Sequence, residues 1–343
     1  MQRCLELARL GAGNVAPNPM VGCVIVHNNI IIAEGWHKQF GGAHAEVNAL
    51  ALVEDESLLN SATLYVNLEP CSHFGKTPPC ANLLVQKNIR RVVVSMLDPN
   101  PLVAGKGIAI LQDAGMEVKV GVLEDECHQL NKRYLTFIEK KRPYIILKWA
   151  QTHNGFIAPD ASKMSAGQFE KDRHITGKII QKLVHKWRTQ EGAIMVGTNT
   201  ALLDNPALNA REWNGKQPLR VVLDQHLRLP KHLKIYDHSQ ATWIVNGSKE
   251  SIDGDLNYVQ IIFSEDWFSQ LLQRLYKAGI QSMIVEGGLQ LLNHIIEHKA
   301  WDEAIVFYSP SQIENGIPAP LIGGKIIQQL SIDGVNMIQY KKI

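Results

Sequence analysis

Four residues in the first quarter of the chain could do metal chemistry together. His44 and Glu46 lie two apart in "HAE", and Cys71 and Cys80 fall within "EPCSHFGKTPPC", Glu69 to Cys80. Zinc favours a tetrahedral set of thiolate and imidazole ligands, and a catalytic zinc keeps one position for water. His44, Cys71 and Cys80 can supply three ligands. Glu46 is close enough to reach the fourth position without binding the metal. Water on zinc ionises near neutral pH, with a pKa of about 7 in the best-known case. It can attack an amidine-like carbon while a carboxylate carries protons to the leaving amine. Either fragment alone is weak. H-x-E occurs by chance, and two such cysteines could be a structural site or core residues. Their order, with a strand before the cysteine loop and a helix after it, points to catalysis.

That division of labour matches the zinc-dependent base deaminases, whose signature is H-x-E followed by P-C-x-x-C. Here "SHFGKTPP" separates the two cysteines. Gly75 and two prolines would let this insert form a fixed loop at the mouth of the site. His73, Lys76 and Thr77 within it look like substrate or phosphate binders.

The elements that must position these residues alternate between strand and helix patterns. "VGCVIVH" and "IIIAEGW" flank Asn28-Asn29, a hairpin signal. "HAEVNALALV" reads as a helix and "ATLYVNL" as a strand ending before Cys71. "PPCANLLVQKN" reads as a helix with prolines in its first turn. "RRVVVSM" and "MEVKVGV" read as strands on either side of the helix in "AGKGIAILQDAG", with Gly115 its C-cap. "EDECHQLNKRYLTFIEKK" reads as one charged amphipathic helix. Gly105 and Gly107 lack the third glycine of a dinucleotide fingerprint and read as structural.

A break follows at "KKRPYIILKWAQ", which places two domains at 1–142 and 143–343. Both halves read as α/β with largely parallel sheets. Composition is that of a globular protein, with 45% hydrophobic and 20% charged residues. A net charge of +2 leaves no general footprint for nucleic acid. No run suits a signal peptide or a membrane span. Five cysteines in a long chain argue for a reducing compartment, the cytoplasm by default.

"APNPMVGCVIV", "GWH", "HAEVNAL", "NLEPCSHFGKTPPC" and "DPNPLVAGKGIAILQDAG" together resemble the deaminase half of the bifunctional riboflavin-biosynthesis deaminase–reductase family. The resemblance covers nearly all of the first 140 residues. It implies a cytidine-deaminase-like α/β/α domain in which His44, Cys71 and Cys80 bind zinc and Glu46 shuttles protons. Asn18, His37, His73, Lys76 and Thr77 then line the substrate pocket. Without the resemblance, Asn18 is a turn residue between two prolines and His37 a surface histidine at a strand end.

The second half offers three features. "LKWAQTHNGFIA" is a strand running into a turn. "VGTNTALLDNPALNAR" gathers polar side chains after a strand, where α/β sheets commonly build sites. "MIVEGGLQLL" is a strand, a Gly-Gly turn and a helix, which would let a diphosphate approach the helix N-terminus or could simply be a tight packing turn. The same features resemble, more loosely, the reductase half of that family, an α/β fold like dihydrofolate reductase. The resemblance implies NADPH as hydride donor. Lys148, Thr176 and Thr200 then lie near the cofactor, and Glu286, Gly287 and Gly288 form its turn. Arg188 and Arg211 become candidates for the substrate phosphate, although Arg188 could also belong to a solvated helix face. Asp204 or Asn205 would contact the ribityl hydroxyls. His174 and Asp172 depart from the family pattern, which usually has tryptophan and serine there.

The implied function is twofold. Zinc-dependent hydrolysis removes the 2-amino group of 2,5-diamino-6-ribosylamino-4(3H)-pyrimidinone 5′-phosphate. NADPH then reduces the ribosyl group to ribityl. The expected partners are this small-molecule substrate and further copies of the chain in a homo-oligomer, with no nucleic acid and no membrane. The rival readings are a zinc deaminase of another base, a chain with an impaired or repurposed reductase half, and a zinc-stabilised scaffold.

Overall fold

The fold is a computed structural model that describes residues 1–72, 79–101, 103–165, 167 and 175–343. The chain divides into two compact units, 1–141 and 142–343. Lys141 ends the first in a left-handed conformation after the helix Lys132–Lys140. Arg142 opens the second, where its guanidinium forks onto Asp302 at 2.6 and 2.7 Å.

The first unit is built on strands β1 (Gly22–His27), β2 (Ile30–Trp36), β3 (Thr63–Leu68), β4 (Arg91–Met96) and β5 (Glu117–Val120), in the order β2-β1-β3-β4-β5. The Asn28-Asn29 turn between β1 and β2 has both residues at positive φ, the conformation such a hairpin needs. Only β3–β4 and β4–β5 run parallel, while β1 is antiparallel to both its neighbours. The sheet is therefore mixed rather than largely parallel, because the hairpin supplies its first two strands.

Both faces of this sheet are covered. Ala45, Ala49, Leu84, Ile108 and Leu111, from the helices Ala45–Leu50, Cys80–Gln86 and Lys106–Asp113, pack on Cys23, Ile25, Leu64, Val66, Val92 and Val94. Leu5, Ala8, Leu130 and Leu135 form a separate cluster with Leu68 and Met96. The expected single helix over 124–141 is two, Glu124–Leu130 and Lys132–Lys140. Asn131 interrupts it. Its buried amide accepts from the Met20 N–H and donates to the Met20 carbonyl, at 2.8 and 3.1 Å. Those bonds tie the joint to the segment before β1, and they outweigh continued helix.

The second unit carries β6 (Tyr144–Gln151), β7 (Phe156–Pro159), β8 (Ala193–Val196), β9 (Leu219–Leu223), β10 (Thr242–Asn246), β11 (Ser251–Asp253), β12 (Leu256–Gln260), β13 (Ser282–Val285), β14 (Glu303–Tyr308), β15 (Gly316–Pro318), β16 (Lys325–Ile332) and β17 (Val335–Lys341). Ten of these form one sheet in the order β11-β12-β10-β9-β8-β13-β6-β14-β17-β16. Every pairing from β12 to β14 is parallel, and both edges are antiparallel. Parallel strands covered on both faces read as unbroken apolar runs, which is why "AIMV" and "SMIV" are so legible. Ile180 and Val184 of the helix Lys178–Arg188 cover one face. Leu271, Leu275, Leu292 and Ile295, from Trp267–Lys277 and Leu289–Glu297, cover the other.

One approach between loops fixes the first site. Gly107 lies against the chain just before Cys71, so a Cβ there would sit 2.0 Å from the Pro70 carbonyl oxygen. Gly107→Ala is therefore expected to cost about 2–3 kcal/mol. Thermal unfolding should show a drop of several degrees together with weaker zinc retention, and an unchanged melting temperature would refute the constraint.

Candidate active sites

In the first unit the chain brings three ligands to one point from three elements. His44 immediately precedes the helix Ala45–Leu50 in an extended conformation. Cys71 follows β3 by three residues, and Cys80 is the first residue of the helix Cys80–Gln86. Their ligand atoms all lie within 4.8 Å of one another. The imidazole Nδ1 of His44 is 3.5 Å from the Cys71 Sγ and 3.3 Å from the Cys80 Sγ. A tetrahedral zinc requires a nitrogen–sulfur separation of ~3.6 Å, given its usual bond lengths. The donor set, one imidazole and two thiols at these spacings, fits zinc.

The surrounding charges favour thiolate. The Cys71 thiol is held down to about 4, first by its hydrogen bond with Cys80 and then by His44 and the Cys80 backbone N–H. Cys80 is pushed upward by the same shared proton and by burial. The opposed shifts describe one proton between two sulfurs, and a divalent cation displaces it. The N–H groups of Cys80 and Ala81, at the start of their helix, point at the Cys71 Sγ and carbonyl oxygen at 3.3 and 3.1 Å. Glu46 is buried, which pushes its carboxyl up to about 6, with the Cys71 charge adding to the effect.

A cavity of about 290 Å³ opens onto this set and is lined by Asn18, His37, His44, Glu46 and Cys71 among others. His37 is only 2% exposed, unlike a surface histidine. It meets the Ala43 carbonyl through Nδ1 at 3.0 Å and the Asn18 amide through Nε2 at 3.1 Å. Those partners fix the neutral tautomer with its proton on Nδ1, and burial holds its pKa down. The wall also includes Asp98, Asn100 and Tyr134, which sequence reasoning missed. The signal for Asp98 and Asn100 was the strand-end loop "LDPNP" after β4, whereas Tyr134 comes from the helix Lys132–Lys140 and donates its hydroxyl to Asp98 at 2.9 Å. His73, Lys76 and Thr77 lie outside the described residues, as do Asp172 and His174.

A buried carboxylate ties the ligand loop to that wall. Glu69 stands between β3 and Cys71. Its Oε2 accepts from the backbone N–H of Asp98 and Gly105, at 3.2 and 2.9 Å. Its Oε1 accepts from Gly107 and Ile108, at 2.9 and 3.3 Å.

In the second unit a cleft runs along the strand ends in two lobes. The narrower, about 500 Å³, is lined by Arg188, Asn205, Leu208, Arg211 and Lys234 among others. The wider, about 740 Å³, is lined by Thr200, Glu286, Gly287, Gly288, Gln225 and Arg228 among others. Lys148, Thr176, Gln181 and Asp204 line both. Gly287 and Gly288 take positive φ between β13 and the helix Leu289–Glu297, and a Cβ on Gly288 would meet the Thr200 hydroxyl at 3.3 Å. Every second-half residue given a role from the sequence thus borders one lobe or the other, Asp172 and His174 lying outside the described residues.

Two of them interact in a way the sequence did not suggest. The Arg188 fork closes on Glu286, with Nε to Oε1 at 2.9 Å and Nη2 to Oε2 at 2.8 Å, and its Nη1 donates to the Asn209 carbonyl. Lys148 Nζ lies 3.5 Å from the same carboxylate. Arg188 therefore does not lie on a solvated face, and Glu286 is the centre of a buried ion triad. Asn205 accepts from the Lys234 backbone N–H at 2.8 Å, and Arg211 donates to the Asn209 side chain at 3.2 Å. Gln181, His185 and Lys234 were missed. His185 sits one turn before Arg188, a spacing that could have found it.

Two family models match the chain. The cytidine and deoxycytidylate deaminase zinc-binding region matches residues 1–96, and the RibD C-terminal domain matches residues 143–340. A zinc-binding deaminase region followed by this second domain defines the class. The relatives are specific. Riboflavin biosynthesis protein RibD of Actinobacillus pleuropneumoniae is 38% identical over 96% of this chain and 88% of its own length. That of Escherichia coli K12 is 36% identical over 90% and 86%. A solved structure from Thermotoga maritima, described as a diaminohydroxyphosphoribosylaminopyrimidine deaminase/5-amino-6-(5-phosphoribosylamino)uracil reductase, matches with a TM-score of 0.88 and 33% identity. It covers all of this chain and 97% of that one. RibD of Acinetobacter baumannii matches with the same score, identity and coverage. The chain belongs to the RibD family of riboflavin biosynthesis proteins.

The ion triad yields a test. Burial alone would raise the Glu286 carboxyl, but Arg188 and Lys148 override it and hold its pKa at about 2 against an ordinary 4.5. A lowered folded pKa means that the stabilisation is complete above the ordinary value and is lost as pH falls toward 2. Glu286→Gln leaves Arg188 buried without its anion and should cost about 3 kcal/mol at pH 7. Urea unfolding monitored in the second unit should show that gap, and it should narrow as the pH falls from 4.5 to 2. A gap independent of pH would mean the charge is not the cause.

Proposed function

We propose that the first unit hydrolytically deaminates 2,5-diamino-6-ribosylamino-4(3H)-pyrimidinone 5′-phosphate and that the second reduces the ribosyl group of the product to ribityl. The observation that carries the reading is the convergence of His44, Cys71 and Cys80 beside the buried Glu46, at the end of a cavity. Zinc held by those three residues supplies a nucleophile from water near neutral pH. Glu46 carries one proton of the attacking water to the pyrimidine ring nitrogen, then carries the second, from the new hydroxyl, to the amine, which departs as ammonia as the C=O forms. Asn18, pinned by His37, presents its amide to the edge of the base. His73, Lys76 and Thr77 are assigned to the substrate from the sequence alone.

In the second unit the wider lobe takes NADPH, which supplies the hydride, with its diphosphate at the Gly287-Gly288 turn beside Thr200. The narrower lobe takes the sugar phosphate. Arg211 and Lys234 face the phosphate, and Arg188 supports it from the triad. Asp204 and Asn205 contact the sugar hydroxyls. Lys148 and Thr176, which border both lobes, stand where donor and acceptor meet. The acceptor is the sugar in its ring-opened aldehyde or Schiff-base form.

The compartment we assign is the cytoplasm. Five unpaired cysteines support it, and among the described residues no helix is long and apolar enough to cross a membrane. A homo-oligomer also belongs to this reading. Strand β16 forms an open sheet edge on which Ile326, Ile327 and Leu330 are exposed.

Zinc-loaded protein incubated with the diaminopyrimidine ribosyl phosphate should give the deaminated mass without NADPH, and the deaminated, reduced mass with it. Deamination that never proceeds to reduction would sink the second assignment alone. Glu46→Gln should slow deamination by about 10²–10⁴-fold while zinc content and reduction of the deaminated substrate stay intact. Wild-type deamination by this variant would remove Glu46 from the mechanism.

A further inference from the structure

We propose that His185 binds the substrate of the second site, as a neutral donor whose Nε2–H meets an oxygen of the phosphate. The inference rests on the reading that the narrower lobe takes the phosphate. His185 lies three residues before Arg188 on the helix Lys178–Arg188, so both side chains project from one face. Its ring lines the lobe together with Arg188, Arg211 and Lys234.

The ring's orientation is fixed by the protein. Nδ1 accepts the backbone N–H of Glu212 at 2.9 Å. A nitrogen that accepts carries no proton, so the neutral ring holds its proton on Nε2. Nε2 has no protein partner among the described residues, and it is not among the buried polar atoms left unsatisfied. The donor is therefore open to the lobe.

The surroundings keep the ring neutral. Burial lowers its pKa first, and Arg188 and Arg211 lower it further, against smaller pulls from Glu212 and Glu286. Protonation would also break the bond to Glu212. A third cation beside two guanidiniums would be costly, whereas a neutral N–H adds a directional bond to an anion without added charge.

The competing role is structural, with Nδ1 merely anchoring the segment at Glu212. Two substitutions separate the roles. The amide nitrogen of glutamine reaches the place of Nε2 but supplies nothing at Nδ1. The amide oxygen of asparagine replaces Nδ1 and supplies no donor at Nε2. Steady-state reduction of the deaminated substrate would be measured for His185→Asn, His185→Gln and Arg211→Ala. NADPH binding, followed by fluorescence, would report an intact fold. His185→Asn should raise KM about tenfold, the worth of one hydrogen bond to a charged group, with kcat and NADPH affinity little changed. His185→Gln should restore KM to within about threefold of wild type.

An unchanged KM in His185→Asn, or a rise in His185→Gln as large as or larger than in His185→Asn, overturns the proposal. If Arg211→Ala raises KM and His185→Asn does not, the proposal fails while the lobe assignment stands. If neither substitution moves KM, the assignment of the phosphate to this lobe falls as well. Should His185→Asn fail to bind NADPH, His185→Gln decides against wild type. A KM within threefold supports the donor, and a tenfold rise removes it.

Discussion

The first site depends on the carboxylate of Glu69. It is buried, it has four backbone N–H donors, and it stands two residues before a metal ligand. Hydrogen bonds to a charged acceptor are worth roughly twice neutral ones. Four of them hold the loop after β4 and the start of the helix Lys106–Asp113 against the chain at Pro70. The ligand Cys71 and the pocket wall at Asp98 and Asn100 therefore form one rigid piece. Gly107 is the steric counterpart, since only a residue without a Cβ can come that close. The ligand loop and the pocket wall are thereby set by the same contact.

The second unit is also organised around one carboxylate, but its partners are full charges rather than backbone N–H groups. There a single anion, Glu286, gathers two cations at the end of β13, on the wall of the wider lobe. Arg220, fully buried between β9 and its surroundings, plays a supporting part. Its guanidinium donates to Thr242, Asp237 and the carbonyls of Lys234 and Gln240. Lys234 in turn donates to Asn205. The loops that frame the narrower lobe are tied together through a charge the solvent never reaches.

Much of this was legible in the sequence, for physical reasons. The His44, Cys71 and Cys80 set could be read because zinc restricts both ligand type and ligand number. The parallel strands of the second unit could be read because burial on both faces leaves unbroken apolar runs. Other features left no local trace. The break at Asn131 depends on a partner more than a hundred positions away, at Met20. The Glu286–Arg188 pair joins the end of a helix to the end of a strand, and neither residue looks unusual in its own segment. The hairpin of β16 and β17 was missed although Asp333-Gly334 carries turn chemistry, because an irregularity between Ile326 and Gln328 breaks the two-residue alternation of "KIIQQLSI". The edge strands β7, β11 and β15 are too short for any periodicity.

The composition of the ligand set fixes the electrical balance of the first site. Two thiolates and a neutral imidazole cancel the charge of a divalent zinc, whereas three imidazoles would leave it doubly positive. The loaded centre is then close to neutral, and Glu46 is the mobile charge beside it. An uncharged heterocycle can enter such a pocket with little electrostatic penalty, whereas an anionic group gains nothing by going deeper. A substrate with an uncharged ring and an anionic tail would thus be oriented by charge balance as much as by shape.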